Sequence, residues 1–260
     1  MILKRRVALN GVWLDELDER IIISGIDEAA GKDTIRNTAS AFGDGSRVTG
    51  KRRDTVDIAV KFAMNIKNGD MEARSLLLER VIAWAAAGGW LTLNYRPNRQ
   101  IYVMLAQAPG EGDLYNWINE YTITFRAYSV PYWMDVNVTQ VASGIASSGS
   151  LGIVLPGSAR SVADVIVENK SGKTIQTVNL TINGNGMSFN SLGLGGSSAL
   201  TIEHVHTDRL FYFRARIGGA SVMNKRSGAN DFYLNPGYNA ISFSSERAVR
   251  VTVSARGRYL

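Results

Sequence analysis

The sequence has no cysteine, two histidines and five prolines among its 260 residues. Without cysteine there is no disulfide framework, no thiolate metal site and no cysteine nucleophile. Two histidines are too few for the ligand sets of the common zinc enzymes, and they offer little choice for the histidine of a Ser-His-Asp hydrolase. Neither Gly-x-Ser-x-Gly nor His-Glu-x-x-His occurs. These absences argue against most enzymes, so we assign no catalytic, cofactor-binding or metal-binding residue.

Long apolar runs are also missing, and charge is spread unevenly. The apolar stretch 81–95 is too short to cross a bilayer, and the first residues lack the apolar core of a signal peptide. Residues 1–135 contain 17 Lys or Arg and 17 Asp or Glu, whereas residues 136–260 contain 12 and 6, so the net charge of +6 lies in the second half. Its cations are scattered, which favours a solvated surface over a nucleic-acid face.

Most of the chain alternates apolar and polar residues with period two, the pattern of half-buried strands. In the first half this predicts strands at 56–62 and 120–128, and a hairpin of 90–95 with 101–107 that turns at 96–99. In the second half, short strands are predicted at 162–167, 175–182, 199–205, 210–215, 238–243 and 249–255. Gly- and Asn-rich turns separate them, which is typical of a β-sandwich or jelly roll.

One segment, at about 70–87, predicts an amphipathic helix. Asp70 is a suitable N-cap, and Gly88 and Gly89 end the pattern. The apolar stripe comprises Ala73, Leu77, Leu78, Val81, Ile82 and Trp84. We therefore predict a mainly β protein of two domains, 1–135 containing this helix and 136–260 without one.

Residues 45–52 nearly match a phosphate-binding P-loop. Arg52 stands where that motif needs a Ser or Thr for Mg²⁺, and a strand pattern follows instead of a helix. We interpret the segment as a basic loop that enters a strand.

Two other polar patterns could carry chemistry. His204 and His206 share a face of a predicted strand with Asp208 in register, but every i, i+2 pair in a strand does so, and a polar strand edge is favoured over a metal site. Asp54 and Asp57, like other acidic pairs such as Glu111 and Asp113, would have to converge across a cleft to serve a glycosidase. We interpret them as loop charges and strand-entrance charges.

Aromatic residues of the second half could form a platform for a sugar ring. The candidates are Tyr212, Phe232, Tyr233, Tyr238 and Phe243. The favoured alternative is that a β-sandwich core uses them for packing.

The order of these features resembles the distal tail protein (Dit) family of long-tailed siphophages. The N-terminal strand runs into Asn10-Gly11. It is followed by a Gly-rich basic loop, a strand, the helix and a hairpin. The resemblance covers nearly the whole chain. Two patterns carry it: Ile123, Phe125 and Ala127 before Pro131-Tyr132-Trp133, and Leu234, Pro236, Gly237, Asn239 and Ile241.

The resemblance implies an N-terminal β-sandwich or split barrel and a C-terminal galectin-like or jelly-roll β-sandwich. It further implies a structural virion protein without catalysis or cofactor, made in the host cytoplasm and placed at the tail tip, whose copies form a hexameric ring. Such a ring would join the major tail tube protein to the tail-associated hub protein and hold receptor-binding or baseplate proteins. DNA would only pass through its channel, and no membrane insertion is expected.

Two other functions stay open at this stage. A carbohydrate-binding β-sandwich that attaches to host-surface glycans would agree with the same fold class and the same lack of catalytic motifs. A β-sandwich glycosidase is the weaker alternative, because it depends on convergence of carboxylates such as Asp54 and Asp57.

Overall fold

The computed structural model describes residues 5–29, 31–39, 46–66, 70–109, 120–206 and 211–260. The chain divides into two compact units, Met1–Trp133 and Met134–Leu260. The elements up to the unit boundary are β1 Val7–Leu9, β2 Val12–Trp13, α1 Leu14–Leu17, β3 Ile21–Glu28, β4 Asp33–Ala39, β5 Ser46–Arg53, β6 Val56–Met64, α2 Met71–Ala86, β7 Gly89–Leu93, β8 Arg96–Gln107, β9 Glu120–Ala127 and β10 Trp133–Asp135.

The first unit is built on a curled antiparallel sheet with the strand order β2-β1-β7-β8-β9-β6-β3. Strand β8 pairs with β7 through its first part and with β9 through Met104–Gln107, so the sheet bends along this one strand. The predicted alternation of 120–128 is confirmed, because Tyr121, Ile123 and Phe125 are all fully buried. The predicted turn at 96–99 is wrong: Leu93 pairs with Arg96, and the chain turns two residues earlier.

Helix α2 confirms the predicted helix at about 70–87. The Asp70 side chain accepts a hydrogen bond from the Ala73 N–H at 3.0 Å, as an N-cap does. Leu77 and Val81 are buried as predicted, and the Trp84 ring packs edge-on against buried Phe125 with centroids 5.9 Å apart. The helix thus covers one face of the sheet with the apolar side chains that its sequence spaces three and four apart.

Asn10 and Gly11 form the two-residue turn between β1 and β2, with φ angles of 52° and 84°. Positive φ at both positions is what a tight hairpin turn needs and what Asn-Gly adopts readily. The Asn10 side chain also donates to the Gly88 carbonyl at 2.8 Å and accepts from the Trp90 N–H at 2.9 Å. The first hairpin is therefore joined to the end of α2 by one polar side chain.

The second unit is a β-sandwich. Its elements are β11 Thr139–Ala142, β12 Ala146–Leu155, β13 Ser161–Val162, β14 Asp164–Asn169, β15 Val178–Ile182, β16 Asn185–Phe189, β17 Ala199–His206, β18 Phe211–Ile217, β19 Ala220–Ser221, a 3-10 turn Met223–Lys225, β20 Arg226–Gly228, β21 Tyr233–Leu234, β22 Gly237–Ala255 and β23 Arg258–Tyr259.

Strand β22 belongs to both layers of the sandwich. Its first half pairs with β12 and β15, and its second half pairs with β11 and β14. The first layer continues through β16 to β20, and the second through β17 and β18 to β19. The sequence predicted two separate strands at 238–243 and 249–255, which is wrong, because the chain bends between layers without leaving the extended conformation.

The core of this unit lies between the two layers. Leu180 and Phe189 from the first layer, and Val165, Ala215 and Val253 from the second, belong to one buried cluster. The predicted strand 175–182 is shorter than expected, since β15 starts at Val178 and the preceding residues make an isolated bridge. The β-sandwich predicted for 136–260 is thus observed, with its strand boundaries corrected.

Candidate interaction surfaces

The segment that resembles a P-loop is a strand. Its residues from Ser46 onward lie in β5, which pairs with β4 in a two-stranded ribbon separate from both large sheets. The strand geometry has no helix N-terminus with free N–H groups for a phosphate, so the nucleotide interpretation fails. The predicted basic loop is also wrong, because the segment is a ribbon, and Gly45 lies outside the described residues.

The β4–β5 ribbon is fixed at its base and exposed along β4. The Arg53 guanidinium donates to the Pro131 carbonyl at 3.2 Å and lies over the Tyr132 ring at 5.4 Å. At the same end of the ribbon, the Thr34 hydroxyl near the start of β4 donates to Asp54, which directly follows β5, at 2.5 Å. Residues 31–53 contain six Lys or Arg and two Asp, so this segment is basic. Arg53 attaches its end to Pro131 and Tyr132.

The two candidate carboxylates of a glycosidase do not converge. Asp54 bonds to Thr34 of the ribbon, whereas Asp57 pairs with Arg126 across β6 and β9, with Nη2–Oδ2 at 2.7 Å. The hydrogen bond from Arg126 holds the pKa of Asp57 below its usual value. A general acid needs a raised pKa instead, and Glu111 and Asp113 lie outside the described residues.

His204 does not present its ring on an outer strand face. Its side chain is 2 % exposed and points into the sandwich, where it contacts Asp164 and Asp231. The side chain of His206 and all of Asp208 lie outside the described residues. Within those residues no group of three or more His, Cys, Asp or Glu has the geometry to hold a metal ion.

The predicted aromatic platform is divided between the core and two outer faces. Phe232 and Phe243 are buried, as the packing alternative predicts. Tyr212 lies opposite Val205 on the outside of the second layer, and Tyr238 lies opposite Val154 on the outside of the first. One sugar chain stacked on a single face cannot contact both tyrosines.

The outer faces of the two layers differ in chemistry. The second layer exposes charge, with Glu203 accepting from Arg214 at 2.7 Å and from Arg216 at 2.9 Å. The first layer exposes uncharged, mostly small side chains that lie side by side across its strands: Ser148, Ser150, Gly152, Val154, Asn179, Thr181, Gly186, Ser188, Ser227, Tyr238, Ala240, Ser242 and Ser244. We call this set the hydroxyl face. Tyr238 is 71 % exposed there, and its ring lies over Gly152, where a Cβ would come within 2.5 Å of it.

The two sequence patterns behind the resemblance have structural roles in this chain. The ring of Trp133 lies under the Arg96 guanidinium at 5.3 Å, beside the Arg53–Tyr132 contact. Asn239 is fully buried, donates to the carbonyls of Asn235 at 2.8 Å and Gly237 at 2.9 Å, and accepts from the Asn235 N–H at 2.7 Å. The asparagine therefore holds the turn that leads into β22.

The ribbon and the hydroxyl face were both missed by sequence reasoning. The sequence of the ribbon is mostly polar, with no regular apolar alternation that would indicate burial. Arg53 and Arg96 gave no sequence sign of their aromatic partners. The hydroxyl face carried one usable signal, the low charge of 136–155, but the residues that complete this face come from strands distant in sequence.

Among the described residues, no helix is long and apolar enough to cross a membrane.

Comparison with solved structures places the fold. The chain matches the crystal structure of SPP1 Dit, described as a paradigm of the hub adsorption apparatus in phages infecting Gram-positive bacteria, with a TM-score of 0.70 and 12 % identity over 98 % of this chain and 99 % of that one. Two phage p2 baseplate structures in the activated conformation, with Sr and with Ca, match with TM-scores of 0.49 at 9 % and 10 % identity, covering 97 % of this chain and 97 % and 98 % of theirs. No family model and no curated protein matches the chain. The predicted Dit-like, mainly β fold is confirmed.

Proposed function

We propose that this chain is a structural component of a phage tail tip, a hub of the Dit type. The observation that carries the proposal is the match to SPP1 Dit over both units of the chain at once, since a shared sandwich alone would align one unit. At 12 % identity the fold is what is shared, so the role rests on the full-length order of elements.

In this proposal residues 1–135 form a ring of six copies, and residues 136–260 form a peripheral domain. The ring joins the tail tube protein to the tail-associated hub protein and lets DNA pass, while the second domain holds receptor-binding or baseplate proteins. A ring needs a heterologous contact, in which one surface of a copy meets a different surface of the next. The basic β4–β5 ribbon is the surface we assign to this contact, because it is a two-stranded sheet of its own and exposes Ile35 on β4.

Electron microscopy of the purified full chain over a concentration series, with mass from light scattering, tests the proposal. We expect closed rings with an open centre. Ile35→Asp should abolish them, whereas Val154→Asp should not, although Val154 is an apolar residue of the second unit that is even more exposed than Ile35. A chain that stays monomeric even when mixed with the tail tube protein would contradict a ring-forming hub.

A second candidate function is binding of host-surface glycans by the hydroxyl face. The observation that favours it is the exposed Tyr238 ring lying over Gly152 among neutral hydroxyl and amide groups, since sugars stack on aromatic rings and bond to such groups. Titration with cell-wall polysaccharide should give saturable binding that Tyr238→Ala removes. Tyr212→Ala, on the opposite outer face, is the matched control, and binding unaffected by Tyr238→Ala would exclude this site.

A further inference from the structure

The buried ring of His204 lies between two carboxylates of the second unit, with the side chains of Asp164 and Asp231 46 % and 20 % exposed. The ring Nδ1 lies 3.1 Å from an Asp164 carboxylate oxygen, and Nε2 is in hydrogen-bond contact with Asp231. The same Asp164 oxygen accepts from the His204 backbone N–H at 2.8 Å. Asp164 begins β14, whereas Asp231 precedes β21, so the imidazole joins two segments 67 residues apart in the chain.

This arrangement requires a particular protonation state. A neutral imidazole donates from one nitrogen only and presents a lone pair at the other. A carboxylate opposite that lone pair is repelled, so both ring contacts are hydrogen bonds to ionised carboxylates only when the imidazolium donates from both nitrogens. Burial of the ring lowers the pKa of His204, but the hydrogen bonds to Asp164 and Asp231 outweigh it, and the pKa is raised above its ordinary value.

Three kinds of contact hold the segment 229–231: the His204–Asp231 contact, a permanent cation, and backbone hydrogen bonds from the Ala229 N–H to the Gly186 carbonyl at 2.8 Å and from the Ala163 N–H to the Phe232 carbonyl at 3.1 Å. Arg226 donates to the Ala229 carbonyl at 2.6 Å and to the Asn230 side chain at 3.1 Å. Asp231 then accepts from the Phe232 N–H at 2.8 Å, which positions the fully buried Phe232 ring. Arginine and the backbone groups do not lose a proton near neutral pH, so His204 is the part of this attachment that responds to pH in that range.

The groups around the imidazole are few in type. From β18 the Phe213 ring packs against it with centroids 5.6 Å apart, and Arg226 lies over that same ring. Beyond Asp231 stands Tyr233, whose ring the Arg160 guanidinium covers at 4.4 Å. Among the described residues, the charged and titratable groups identified around the ring are the two aspartates in direct contact with it, Tyr233 and Arg160 beyond Asp231, and Arg226 beyond Phe213.

We propose that charged His204, clamped by Asp164 and Asp231, is a pH-sensitive latch that ties segment 229–231 to the sandwich, and that loss of the imidazole proton opens it. Because the charged form is the one the fold stabilises, the latch is closed at low pH. Its contribution is complete below the ordinary histidine value of about 6.5 and declines as the pH rises through the raised value of the folded protein. The opened segment exposes the Phe232 backbone to solvent.

A titration of the full chain followed by ¹⁵N NMR of the imidazoles tests the protonation state directly. The sequence has two histidines, so the His206→Gln variant assigns the signals and serves as the control. We expect both ring nitrogens of His204 to show imidazolium shifts and to titrate above the ordinary histidine value of about 6.5. Titration at or below that value would overturn the proposal.

Hydrogen exchange of the Phe232 amide tests whether the charge controls the segment. After correction for the intrinsic rate, exchange should accelerate by about tenfold for each pH unit between two limits. The lower limit is the pKa of His204 when the segment is open, and the upper limit is its raised pKa when the segment is closed. Asp231→Asn should remove this dependence and keep the fold, because an amide can donate to a neutral imidazole. The latch would be refuted if protection of the Phe232 amide in the unmodified chain did not change with pH, or if Asp231→Asn showed the same pH dependence.

Discussion

Charged side chains of the first unit pair at its surface, as Lys61 does with Asp27, whereas the second unit buries polar side chains that hold its loops. Asn169 and Asn239 are nearly inaccessible, and each bonds to backbone groups of its loops. A surface ion pair contributes about 0–1 kcal/mol, whereas a buried polar group stripped of its partner costs about 1–3 kcal/mol. In the second unit, two buried asparagines therefore fix loops from within, whereas pairs such as Lys61 with Asp27 in the first unit lie where water screens them.

The sequence allows the two units to be followed separately. All five tryptophans, at positions 13, 84, 90, 117 and 133, lie in the first unit. Tryptophan fluorescence therefore reports unfolding of that unit, and hydrogen exchange in β14, β15 and β22 reports the second. Each substitution below is expected to move one signal and to leave the other in place.

Asn239→Ala should have the largest effect. It removes the partners of the Asn235 and Gly237 carbonyls in a fully buried position, so we expect the second unit to lose about 3 kcal/mol. Exchange in β22 should accelerate while the tryptophan transition in urea stays unchanged. Asn179→Ala is the control, because this asparagine makes one 3.2 Å bond to Ser244 on the hydroxyl face. Equal losses from both variants would contradict the comparison.

Asn10→Ala tests the exception to the comparison, a polar side chain that organises the first unit. Two hydrogen bonds are lost and alanine must adopt φ near 52°, so we expect a loss of about 2 kcal/mol in the tryptophan transition. Asn10→Gly restores the backbone freedom and should recover part of the loss. If the glycine variant is no more stable than the alanine variant, the turn conformation contributes nothing.

The sequence predicted what short-range patterns determine. Asp70, Leu77 and Val81 lie within three turns of one another, so the cap and the apolar face of α2 were visible in the spacing. The bend of β22 could not be predicted, because the pairing of each half with a different layer is a tertiary property. The His204 cluster was missed for the same reason, since Asp164 and Asp231 are 40 and 27 residues away.

Acidification should weaken the first unit through Asp18. The side-chain and backbone hydrogen bonds from Arg20 lower the pKa of Asp18 to about 2. Since the folded value lies below the unfolded one, the contribution is complete above about pH 4 and is lost as the pH falls towards 2. Asp18→Asn should flatten the fall of the tryptophan midpoint between pH 5 and 2, and the exposed Glu19→Gln should not. A slope unchanged in Asp18→Asn would reject this assignment.

Asp57→Asn should have the smallest effect. The Asp57 and Arg126 side chains are 36 % and 38 % exposed, so water screens the pair. We expect a loss of less than about 1 kcal/mol in the tryptophan transition. A loss as large as that from Asn239→Ala would erase the distinction between surface charge and buried polar groups.

Hydrogen exchange of the full chain, compared between dilute monomer and concentrated assembly, tests most directly which unit brings copies together. We predict that assembly protects amides in the first unit, above all in the β4–β5 ribbon, and leaves 136–260 unchanged. Protection that appears in 136–260 and not in the first unit would contradict it.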